Sequence, residues 1–137
     1  MVPDAGTNYS YVKSYKVNVP VAPDTSITNM NLYTDGANGM GTGITWNIGD
    51  EQPATYVQAT GTEGTTGNII TTVYSGTITG VTDFFGYTDG SEYSVTLTAN
   101  SGTGIYTNVI GMQIYVASTA SKGAKSAETF VLEWDEV

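Results

Sequence analysis

The 137-residue sequence has no cysteine, no histidine and no arginine. Without cysteine and histidine there is no disulfide, no thiol nucleophile and no imidazole base. The usual ligands of zinc, haem and iron–sulfur clusters are missing too. The only cations are Lys13, Lys16, Lys122 and Lys125, set against 13 acidic residues for a net charge of −9. Such a surface has little with which to displace the counterions around phosphates, which argues against nucleic acid as a partner. The same shortage excludes a polybasic membrane contact. No apolar run approaches the roughly 18 residues of a membrane-crossing helix. Met1–Gly6 has neither the basic nor the apolar region of a secretory signal. No window shows a helical hydrophobic period.

What fills the chain is Thr, Gly, Ser, Asn and ten tyrosines, with charged residues at only 12%. That is about half the usual share, and β-branched and aromatic residues favour ordered strands over disorder. Apolar residues alternate with period two in a series of short segments. Tyr9–Val19 presents Tyr9, Tyr11, Tyr15, Val17 and Val19 on one face, with Lys13 marking an edge strand. Ile27–Tyr33 follows Pro20 and Pro23, and the phase slip between Ile27 and Met30 predicts a bulge or a late start. Ile44–Ile48 directs Ile44, Trp46 and Ile48 inward, before a turn at Gly49–Pro53.

Further strands are expected over Ala54–Ala59, over Ile69–Thr79 with a kink at Gly76, and over Glu92–Ala99. Val109–Val116 and Thr129–Trp134 complete the set, the last with Phe130, Leu132 and Trp134 inward. Gly61–Asn68 reads as a loop and Ser118–Ser126 as a crossover loop. About eight short strands separated by turn signals predict one all-β domain over residues 1–137. Its expected form is an antiparallel two-sheet β-sandwich, jelly-roll or Ig-like, with little or no helix. Trp46 and Trp134 are expected in its core.

The motif Tyr-Thr-Asp-Gly occurs at Tyr33–Gly36 and again at Tyr87–Gly90. Asp-Gly suits a two-residue type I′ hairpin, and the second copy sits where such a turn belongs, with Thr88 facing Ser91. The first copy opens a longer glycine-rich loop. The flanking sequences do not match, so a duplication is not indicated. Asp83, Asp89 and Glu92 supply the hard oxygens calcium needs, but no EF-hand or nonapeptide calcium pattern surrounds them. No cofactor is expected.

Catalysis has little material. Asp50-Glu51 and Asp135-Glu136 are adjacent acids that a strand would send to opposite faces. Ser121-Lys122 and Lys125-Ser126 lack any supporting motif. The sequon Asn8-Tyr9-Ser10 is a short pattern that recurs by chance. A non-enzymatic protein is therefore expected. The candidate interaction residues are Phe84, Phe85 and Tyr87, read either as an aromatic contact surface or as a plug for the open end of the sandwich.

The segment QIYVASTASKGAKSAETFVLEWDEV (residues 113–137) resembles the endings of small β-sandwich proteins encoded in tailed-phage structural gene clusters. NLYTDGANGMGTGITWNIGDEQPATYV (residues 31–57) has the same character. The resemblance implies a virion structural protein, such as a capsid decoration or cement subunit or a fibre-type protein. Its partner would be the major capsid protein or another virion protein, its location the virion, and its form a homo-oligomer. It carries over no catalytic residue. The rival expectation is a carbohydrate-binding or adhesin-like β-sandwich module using surface Tyr and Trp, and a third is a secreted domain whose signal has been removed.

Overall fold

In the computed structural model, residues 2–51, 69–71 and 77–137 are described. The expected strand at Ala54–Ala59, the loop at Gly61–Asn68 and the kink at Gly76 lie outside those residues. The described chain forms ten strands and one short 3-10 turn, with no α-helix. They are β1 (Thr7–Tyr9), β2 (Lys13–Tyr15), β3 (Asn18–Val19), β4 (Ile27–Tyr33) and β5 (Ile44–Glu51), then β6 (Ile78–Asp83), β7 (Tyr93–Ser94), β8 (Ile105–Tyr106), β9 (Val109–Ala117) and β10 (Val131–Glu136). Every pairing is antiparallel. The antiparallel, sandwich-like all-β architecture is the expected one, with three hydrogen-bonded sheets and more strands than expected, several of them only two or three residues long.

One sheet runs from an edge shared by β1 and β2, through β9 and β5, to β6. The other contains β10, β4 and β7. The Leu97–Thr107 bridge, with bonds from Thr98 N–H to the Tyr106 carbonyl and from Asn108 N–H to the Thr96 carbonyl, carries this layer on to β8 and then β3. Ile27, Met30 and Leu32 of β4 pack against Ile48 of β5 and Ile110 and Met112 of β9, with Phe84 and Val95 completing the buried cluster. Alternation places these side chains on the facing surfaces of the two sheets.

The first sheet is buried on its other face as well. Val12, Ile70 and Ile78 form a second small core there, joined by Val81 and Tyr115. Gln113, 1% exposed, serves this face. Its Oε1 accepts the Ile70 N–H at 2.8 Å, and its Nε2 donates to the Ser10 carbonyl at 2.8 Å. β9 is buried from Val109 to Gln113 without alternation.

Several expected strands are corrected. Tyr9–Val19 is three pieces, because its partner pairs are Tyr9–Tyr115 and Lys13–Met112. The edge thus advances one residue more than β9, which is a bulge that reverses the side-chain phase. Val12 is therefore buried and Tyr15 exposed. The chain then leaves the first sheet after β2 and pairs with β8 as β3. Lys13 does lie on an exposed edge strand. Gly49 to Glu51 continue β5 instead of turning, and β6 runs past the expected end at Thr79 to Asp83.

The phase slip in β4 is a bulge. Glu133 faces Asn31 and Asp135 faces Thr28, so β4 carries one extra residue. Asn29 has φ of 49°, and its Nδ2 donates to Asp135 Oδ2 at 2.7 Å.

The inward direction of Leu132 and Trp134 is correct, but Trp134 is not core. It remains 50% exposed and Phe130 46% exposed. The groove beside Trp134 is lined by the Val17–Pro23 segment, β4 and β10, not by the first sheet. Trp46 is half-buried against the core, edge-on to Phe84 at 5.4 Å and to Phe130 at 6.0 Å.

Candidate functional site

Seven large hydrophobic side chains are exposed among the described residues: Tyr15, Val21, Tyr106, Phe130, Val131, Trp134 and Val137. Four of them fall within residues 130–137, on and beside one strand, with Trp134 and Val131 on its two faces. That strand is β10, at the end of its sheet with β4 as its neighbour on one side.

The phase of its hydrogen bonds follows from one pair. Ser26 and Val137 exchange both backbone bonds at 2.9 Å. In an antiparallel ladder such exchanging pairs alternate. Asp135, Glu133 and Val131 therefore face β4, because the bulge lies in β4 and leaves the phase of β10 intact. Leu132, Trp134 and Glu136 turn their N–H and C=O groups outward. The Met30 carbonyl, which accepts from Val95 N–H, agrees: it points away from β10.

The same three residues line a groove of about 520 Å³. Val17 and Val19 and the Pro20–Pro23 segment form its wall, and Ile27 and Met30 its floor. The surroundings are acidic. Residues 17–37 and 129–137 contain Asp24, Asp35, Glu133, Asp135 and Glu136 but no lysine. Glu136 Oε1 accepts the Asp24 N–H at 3.3 Å, which draws the loop before β4 toward the end of β10. The nearest lysine in sequence, Lys16, holds its ammonium over the Tyr106 ring at 4.1 Å.

The expected aromatic contact surface is corrected. Phe84 is 0% exposed and Phe85 8% exposed. They occupy a 3-10 turn whose start is capped by Asp83, with Oδ1 accepting Phe85 N–H at 3.2 Å. Both rings belong to the interior, as the plug reading has it. Tyr87 is half-buried, edge-on to Tyr93 at 5.2 Å. Nothing in the sequence pattern marked β10 in their place, because alternation reveals which face a residue takes but not whether anything covers it.

Tyr87 and Tyr93 also border a second cleft of about 420 Å³, together with Asp50, Glu92, Thr96 and Asn108. Burial, then the charge of Asp50 and the adjacent Tyr87, holds the Tyr93 phenol well above its usual pKa. The phenol is therefore neutral and available as a donor at neutral pH.

The two Tyr-Thr-Asp-Gly stretches meet in space. Thr34 N–H donates to the Tyr87 carbonyl at 2.9 Å, and the Thr34 hydroxyl donates to it at 3.1 Å. Gly36 lies against Thr88. The second copy is the expected two-residue hairpin, closed by mutual bonds between Thr88 and Ser91. Its turn type differs from expectation: Gly90 has positive φ and Asp89 does not, the pattern of type II instead of I′. The acids nearby serve these turns. Asp35 Oδ1 accepts Ala37 N–H, and Glu92 Oε1 accepts Gly90 N–H. Among the described residues no group of three or more acids is arranged to hold a metal.

Compared with protein families, with curated proteins and with solved structures, the chain matches none of them.

Proposed function

We propose that this protein is a non-enzymatic structural subunit that docks onto a protein lattice, and that the lattice is a virion. The observation that supports docking is the outer edge of β10, unpaired among the described residues, where outward backbone groups run beside an apolar groove containing Trp134. Exposed strand edges are normally guarded by lysine, proline or a bulge, and one that carries only acids suits a surface covered by another chain. The resemblance of residues 31–57 and 113–137 to small phage β-sandwich proteins supports the virion, with a capsid decoration or cement subunit as the finer reading. The low charge content and the absence of Arg suit an exposed shell that adheres little to cellular polyanions. Mass spectrometry of purified particles tests this reading. The chain is expected at a fixed ratio to the major capsid protein, and its absence from particles would sink the proposal.

The cleft bordered by Tyr87, Tyr93, Asp50 and Asn108 favours a second reading, a glycan-binding module. Neutral phenols, an amide and carboxylates are the groups that bond sugar hydroxyls. Glycan-array binding that is lost in Asn108→Ala, together with absence from particles, would establish it over the first.

A further inference from the structure

We infer that the open edge of β10 receives an extended, cationic segment of a different protein by strand addition, with an apolar side chain of that segment seated against Trp134. The inference names the chemistry of the partner in the docking reading above and rests on that reading only for where the partner comes from.

Backbone complementarity is the first argument. Leu132, Trp134 and Glu136 present donors and acceptors at the spacing an incoming strand requires. Their side chains line the groove floored by Ile27 and Met30, so every second side chain of an added strand would fall into it.

The other strand edges contrast with β10. The edge formed by β1 and β2 carries Lys13 and a bulge, and β3 runs directly into Pro20. The β6 edge is also bulged, since Ile48 faces Thr82 while Asp50 faces Thr79. Lysine, proline and bulges are the usual devices that discourage strand addition. β10 contains neither lysine nor proline, and the bulge beside it lies in its partner β4.

Charge selects the occupant. Asp24, Glu133, Asp135 and Glu136 surround the edge with no lysine in either contributing segment. A second copy pairing β10 with β10 would bring these carboxylates together between chains that each carry −9. Like charges opposed across strands are destabilising. A strand with Lys or Arg beside its apolar residues removes that repulsion and gains attraction. The acids therefore act as a filter, keeping copies of this chain apart at β10 while admitting a cationic partner.

The test uses the full chain as bait for a displayed library of random peptides of about ten residues, long enough to span the edge. Recovered peptides are expected to alternate apolar and polar positions and to be enriched in Lys and Arg. Binding should fall about tenfold or more in Trp134→Lys, and likewise in Glu136→Pro. The proline removes an outward N–H that β4 does not use and only the long, exposed bond from Asp24 N–H, so the fold should persist. In the wild-type chain, bound peptide should slow hydrogen exchange at the amides of Leu132, Trp134 and Glu136. This readout decides the matter if the proline variant fails to fold. No recovered peptide, no cationic enrichment, or binding without protection of these amides overturns the inference. The two readings fail separately. Peptide binding by a chain absent from particles keeps the edge and removes the virion, whereas particles carrying Trp134→Lys at full ratio keep the virion and remove the edge.

Discussion

The Cδ1 of Ile78 lies 2.6 Å from the place a Cβ at Gly111 would occupy. Gly49 is the residue opposite Gly111 across β5 and β9, and a Cβ there would meet Ile78 Cγ2 at 2.8 Å. The paired glycines form a track across the sheet, and Ile78 lies in it. This is how a sheet with one face in the main core acquires a second packed face.

The first prediction concerns these glycines. In Gly111→Ala the obstruction is the end of a flexible side chain, so overpacking of about 1–3 kcal/mol is expected. In Gly49→Ala the new methyl also meets the Thr79 carbonyl oxygen at 2.9 Å, which is backbone and cannot rotate away. Its loss should be the larger in urea unfolding. Shortening the obstruction with Ile78→Val should partly restore Gly111→Ala and not Gly49→Ala.

Gln113 joins the N-terminal edge to residues 69–71 through its bonds to Ser10 and Ile70. Gln113→Leu keeps the bulk and strands a buried N–H and a carbonyl. A loss of about 2–4 kcal/mol is expected from two unsatisfied groups. Hydrogen exchange should show Ile70 N–H losing protection before the amides of β5. Equal protection would mean that the bond contributes little.

Between the two Tyr-Thr-Asp-Gly loops, Gly36 has φ of 79° and its hypothetical Cβ falls 2.8 Å from Thr88 Cγ2. Gly36→Ala therefore combines backbone strain with a steric clash, and about 1–3 kcal/mol should be lost. Thr88→Ser removes the clashing methyl but not the strain. The double variant should recover part of the loss in thermal melts, and complete recovery would show that φ is not limiting.

The aromatic residues sort by coverage. Phe84→Ala opens a cavity in a fully buried site and should cost about 3–5 kcal/mol. Trp134→Ala removes a half-exposed ring and should change stability by less than about 1 kcal/mol. Comparable losses in denaturant titrations would mean that Trp134 is covered in solution, for instance by self-association.

Tyr93 gives the fold an alkaline limit. Its phenol titrates above the ordinary value of 10.0 because burial, Asp50 and Tyr87 all disfavour the anion. In the unfolded chain it ionises near its ordinary value, so the stabilisation is complete below about pH 10 and is lost as pH rises above it. Melting temperatures between about pH 8 and 11 should fall less steeply in Tyr93→Phe than in the wild type. Parallel curves would remove Tyr93 as a cause.

Much of the fold was legible because strand periodicity is local. The strand at Ile27–Tyr33, its bulge, the hairpin at Asp89-Gly90 and the strand near Val109–Val116 all follow from alternation and turn chemistry. Boundaries were lost where a long-range partner overrode the local signal. Gly49 reads as a turn residue in the sequence, yet it lies mid-strand because Gly111 faces it and Ile78 fills the space above. The reversal that buries Val12 and exposes Tyr15 needs the register against β9, which no window of sequence contains.

The sequence alone determined the class of protein: an acidic β chain of low charge content without imidazole, thiol or guanidinium chemistry, divided into short strands by glycine and proline. Those properties depend on side-chain type and nearest neighbours. The tertiary structure decided which apolar residues are covered. Phe84 and Phe85 read as a possible surface and are interior; Trp134 reads as core and stands at an open edge. Alternation assigns a side chain to a face of its strand, whereas coverage depends on how far the opposite sheet reaches, and that is settled by pairings between residues far apart in the chain.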